Sequence, residues 1–99
     1  MFVALSKFVV ANGMVEEVKT AFQNRPHLVD DLAGFIRLEV LVPQDNLNEI
    51  WLITYWEDGA SYQQWHHSEL HHQSHQGIPK GLKLVPHATE IRFFDHICS

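Results

Sequence analysis

Five of the eight histidines fall within the run His66-His67-Ser68-Glu69-Leu70-His71-His72-Gln73-Ser74-His75. Histidines four apart share one face of a helix, so His67 with His71, and His71 with His75, form two-ligand sets for Zn, Ni or Cu. A closed zinc site takes four ligands and partners that orient them. Here only Glu69 or a neighbouring molecule could complete one, so the run reads as a resting place for adventitious Zn or Ni. Just before it, Tyr62 and Trp65 lie three apart, a spacing that either anchors a helix on a sheet or presents a flat surface to a ligand ring. Arg37 and Glu39 share one face of a strand and read as an ion pair, within the chain or across an interface between copies. Nucleophile triads, glycine-rich phosphate loops and paired carboxylates are missing, which leaves hydrolase and kinase chemistry without a motif.

The elements that position these residues follow from periodicity. Phe2–Val10 is rich in β-branched and aromatic residues and predicts strand one, ending at Ala11-Asn12-Gly13, where Asn12 can cap a helix. From Met14, Val15, Val18, Phe22, Val29 and Leu32 make one apolar stripe opposite Glu16, Glu17 and Lys19, predicting helix one with a kink rather than an end at Pro26. Phe35–Val42 predicts strand two, with Ile36, Leu38, Val40 and Val42 toward the helices and Phe35, Arg37, Glu39 and Leu41 on the other face. Strand three, Ile50–Trp56, is bulky on both faces, so Trp51 and Trp56 are assigned to the core or an interface. Asp58 caps helix two from Gly59, Ser68-Glu69 breaks it, and the second piece carries the histidines. Gly77, Pro79 and Gly81 punctuate the loop before a last strand over roughly Ala88–Ile97.

This order, βαββαβ, is the ferredoxin-like split βαβ arrangement of the α+β class: a four-stranded antiparallel sheet with both helices on one face. A chain of 99 residues forms one domain, 1–99, and has no helix left for the second face. A second copy on a two-fold axis is the expected cover, giving a dimeric α/β barrel with a ligand space between each sheet and its own helices. Twelve acidic against seven basic side chains leave a net charge of −5, which argues against nucleic acid and anionic membranes as partners. No apolar run is long enough to span a bilayer. A lone cysteine, Cys98, suits a reducing compartment, so a cytoplasmic location is expected.

With Gly34-Phe35, Thr54-Tyr55-Trp56-Glu57, Tyr62-Gln63-Gln64-Trp65, Ser68 and His75 in place, the chain resembles the antibiotic biosynthesis monooxygenase family along almost its whole length. Within that family it is similar to the haem-degrading monooxygenases of the IsdG and MhuD kind. The resemblance implies that His75 ligates haem iron ten residues after Trp65, that Trp65 shapes the ring, and that Phe22 lines the same cavity. Where those enzymes carry an asparagine near the iron-bound oxygen, this chain has Ser6, whose hydroxyl reaches less far than an amide. Haem binding tolerates that change; haem oxidation is the step it touches. The implied activity is O₂-dependent monooxygenation of a small flat aromatic ligand, with haem as the leading candidate. Two readings stay open beside it: a cofactor-independent quinol or anthrone-type monooxygenase, which accepts Ser6 more readily, and a non-catalytic protein that binds haem or another small ligand.

Overall fold

A computed structural model describes residues 1–25, 27–68 and 79–99. Its elements are β1 (Phe2–Val9), α1 (Val15–Gln23), a 3-10 turn (Leu28–Asp31), β2 (Phe35–Leu41), β3 (Glu49–Trp56), α2 (Gly59–His66) and β4 (Glu90–Asp95). The strands form one antiparallel sheet in the order β2-β3-β1-β4, the predicted ferredoxin-like arrangement. Among the described residues, no helix is long and apolar enough to cross a membrane.

Strand alternation decides which side chains meet the helices. Phe2, Ala4, Ser6, Phe8 and Val10 point one way from β1 and its end, and pair across to Trp56, Thr54, Leu52 and Ile50 of β3. Buried Ala4, Trp56 and Tyr62 pack with Val29 into one cluster, and buried Val10, Val18 and Ile50 into another. The second cluster lies under α1, whose Val18 is 2% exposed, and the first lies under α2 and the 3-10 turn.

Four local readings are corrected. Helix one ends at Gln23 instead of kinking: a proline at 26 disfavours helical geometry at Arg25, and the chain passes through His27 at φ 56° before the 3-10 turn. Val29 and Leu32 therefore reach the core from this turn. Asn12 does not cap α1, where Met14 takes that position without a side-chain bond. Its amide Nδ2 donates instead to the Gly81 carbonyl at 2.8 Å. In β2 a bulge between Phe35 and Arg37 turns Phe35 toward the helices against Trp56 and leaves Ile36 exposed. The last strand is shorter than expected, Glu90–Asp95, and ahead of it Leu84 bridges Val10 while Val85 N–H donates to the Val9 carbonyl at 2.8 Å.

The start of α2 is as read. Asp58 Oδ1 accepts the Ser61 N–H at 2.8 Å, and hydrogen bonds to the ionised form hold this carboxyl below the usual range. The second helical piece expected after Ser68 lies outside the described residues. Gly34, at φ +86°, lets the first turn of α2 approach the sheet, since a Cβ there would fall on the Ser61 side chain.

Candidate functional site

Between the two apolar clusters runs a row of helix-facing side chains, Val40–Leu52–Ser6–Ile91, one from each strand. Val40, Leu52 and Ser6 are only partly buried, and Ile91, on the edge strand, is 59% exposed. Among the described residues, the helix-facing surface is thus packed at its ends and thinly covered in the middle.

One flank of this row is aromatic. Trp65 lies over Trp56 with centroids 5.7 Å apart, Tyr62 meets Trp56 edge-on at 5.8 Å, and Phe2 stacks on Phe93 at 5.6 Å. His66 stacks on Tyr62. Burial pushes the Tyr62 phenol above its ordinary pKa, so it stays protonated near neutral pH. On the opposite flank Phe22 packs from α1 onto the second cluster.

Polar groups on this surface are few. The Thr54 hydroxyl is occupied, accepting the Trp56 Nε1–H at 2.9 Å and reaching the Ala4 carbonyl at 3.5 Å. Asp95 stands at the open edge, opposite Phe2. Ser6 lies at the centre, and its hydroxyl has no hydrogen-bond partner among the described residues. A free donor on an apolar floor can hydrogen-bond a ligand oxygen.

Every lysine and arginine can be located. Lys7, Arg37 and Arg92 lie on the far face of the sheet, near Glu90, Glu39 and Glu90 respectively. Arg37 also sits 4.0 Å over the Tyr55 ring. Lys19 pairs with Glu16 along α1, and Arg25 makes a two-point ion pair with Asp30. Lys80 and Lys83 belong to the exposed segment before β4.

Of the residues singled out in the sequence, Ser6, Phe22 and Trp65 come to the floor and two flanks of one surface. His67 is exposed and closes α2, its N–H donating to the Gln63 carbonyl at 3.1 Å. His71 and His75 lie outside the described residues, which hold no group of three potential metal ligands. Tyr62 stands with Trp65 as the sequence spacing suggested, whereas Phe93 as a ring-bearing wall and the Arg25–Asp30 pair escaped the sequence reading. The pair spans five residues across a turn that periodicity had read as continuous helix.

The architecture defines the class: a ferredoxin-like α+β domain with its helices over one face of a four-stranded antiparallel sheet. The model of the family described as "Antibiotic biosynthesis monooxygenase" matches residues 1–77, and the chain belongs to that family. Among curated proteins, a "Heme oxygenase (mycobilin-producing)" of Mycobacterium tuberculosis is 27% identical over 63 residues, 64% of this chain. The chain spans 60% of that protein's length in the match. Among solved structures, the heme-degrader MhuD from Mycobacterium tuberculosis, with two hemes bound in its active site, superposes with a TM-score of 0.80 at 20% identity. That match covers 100% of this chain and 98% of MhuD. SnoaB, a cofactor-independent oxygenase from Streptomyces nogalater, superposes with a TM-score of 0.77 at 17% identity, covering 99% and 94% of the two chains. At these identities the solved structures speak to the fold.

Proposed function

We propose that the chain is an O₂-dependent monooxygenase acting on a flat aromatic ligand that lies over Ser6, between the aromatic flank of Trp65 and the Phe22 side. The observation that carries this reading is the division of the described apolar interior into two clusters, with a row between them that the described residues cover thinly and a hydroxyl that bonds none of them. Family membership supplies the reaction class. In this reading Trp65 and Tyr62 orient the ring, Ser6 donates to a ring oxygen, and the histidine run beginning at His66 supplies a base.

Haem is one candidate ring, supported by the spacing of Trp65 and His75 and by the haem-active likeness from Mycobacterium tuberculosis. The aromatic flank suits a macrocycle. The charge distribution suits it less, because the propionates would need cations and the helix-side ones are paired or confined to Lys80 and Lys83. That observation favours a second ring class, a quinol or anthrone. For an anthrone the ring methylene becomes a carbonyl with one oxygen atom of O₂, its two hydrogens leave with the other as water, and the substrate itself is the reductant.

A second copy completes the assembly in this proposal. Leu5, Ile53, Tyr55, Trp51, Leu41 and Phe94 make the far face of the sheet apolar at its centre, with Lys7, Arg37, Glu39, Glu90 and Arg92 around them.

Two assays decide the function. Hemin titration is followed at the Soret band in the native chain and in His75→Ala, with ascorbate then added to look for ring opening. Dithranol is supplied under air, with O₂ uptake and quinone absorbance recorded. Ring-dependent oxidation in either assay supports the proposal. Absence of binding and turnover in both overturns it, and stable haem binding without turnover replaces it with a carrier.

A further inference from the structure

The connection leads from α1, over one apolar cluster, to the 3-10 turn, over the other, and that turn packs against β2, the strand that carries Val40 of the row between them. It holds one arginine, Arg25, whose side chain is only 20% exposed. Arg25 Nη1 donates to Asp30 Oδ1 at 2.9 Å and Nη2 to Oδ2 at 3.3 Å, a two-point pairing that fixes the plane of the guanidinium. His27 Nδ1 lies 3.1 Å from the same Oδ2. Asp31 adds a further negative charge next door, so with His27 neutral the turn carries one more negative than positive charge.

We propose that Asp30 sets the charge class of the ligand: by holding Arg25 in a two-point pair, it withdraws the turn's guanidinium from ligand carboxylates, so the space over Ser6 selects flat rings without anionic substituents. This rests on the reading of that space as the ligand site. A guanidinium already matched to one carboxylate has little left for a second, and a ligand anion would also meet the surplus negative charge. The Arg25 contact holds the Asp30 carboxyl below its usual pKa, which keeps the pair intact at neutral pH. Of the other helix-side cations, Lys19 is occupied by Glu16 at 3.2 Å, and Lys80 and Lys83 lie in the exposed segment before β4.

The test compares two rings of the same shape, dihydroxyanthraquinone and its monocarboxylate, by visible absorbance titration of the full chain. The native protein is expected to bind the neutral ring about tenfold more tightly. Asp30→Asn is expected to raise affinity for the carboxylate by about three- to tenfold, the size of a freed charge-assisted contact, and to leave the neutral ring unchanged. That gain disappears in Asp30→Asn with Arg25→Gln, fades with added salt, and is absent in Asp30→Glu. Asp30→Ser, checked by thermal melting, provides the same measurement if the asparagine variant folds poorly. Equal affinity for both rings in the native protein, or no gain on releasing Arg25, overturns the role of Asp30 and leaves the ligand site standing. Failure of both rings to bind overturns the site and this role together.

Discussion

The Trp56 indole, fully buried, donates its Nε1–H to the Thr54 hydroxyl at 2.9 Å, so the largest core side chain has its polar atom satisfied from its own strand two residues away. Thr54→Val keeps the shape and leaves that N–H unpaired. It should cost about 1–3 kcal/mol of stability, read as a lower urea midpoint at constant slope, whereas Thr54→Ser should keep most of it.

Gly34 combines a left-handed backbone with a side-chain-sized space already filled by Ser61. Gly34→Ala should therefore destabilise by more than the roughly 1 kcal/mol expected from φ alone. Adding Ser61→Gly should return only the steric part, a partial recovery visible in a thermal melt.

Asp58 and Asp30 both have folded-state pKa values depressed, Asp58 by the Ser61 N–H and Asp30 chiefly by Arg25. Their contribution to stability is complete above the ordinary carboxylate pKa of about 4 and is lost as pH falls through the lower folded values. Asp58→Asn retains a capping oxygen without the charge, so its stability should fall less steeply than the native protein's below about pH 4. Denaturant midpoints across pH would show parallel curves if the carboxylate had no such role.

Ser6→Ala removes a hydroxyl that bonds no described group, so the melting temperature should hardly move. Turnover of the bound ring should fall by about tenfold or more if that hydroxyl stabilises developing charge on a ring oxygen. Ser6→Asn, with a longer amide, should shift the balance of activity toward hemin.

If two copies meet on the far sheet face as proposed, charge placed at its centre should separate them: Ile53→Asp, opposite Leu5, is expected to sediment as a single chain and the native protein as a dimer. A native protein that is monomeric at micromolar concentration would remove the assembly from the proposal.

The strands and their order were legible because alternation and β-branched content persist through β1, β2 and β3. Asp58 was legible because a cap acts within one turn. What escaped depends on events between distant segments. The Phe35 bulge is fixed by pairing with Trp56, and Asn12 finds its partner 69 residues away at Gly81. Periodicity ran past Gln23 because Val29 and Leu32 do face the core, though from a separate turn. Ser6 was found through resemblance and the Tyr62–Trp65 pair through its spacing; the bond from Trp56 to Thr54 was visible only once packing assigned each side chain a face.

The two-cluster interior has an evolutionary reading. Cohesion resides at the ends of the sheet, in Trp56 and Tyr62 on one side and Val18 and Ile50 on the other. Residues 6, 52 and 91 stand between these anchors and belong to neither cluster. Substitution there can remodel what the subunit accommodates while its architecture persists, so related sequences can diverge in chemistry without first solving a folding problem.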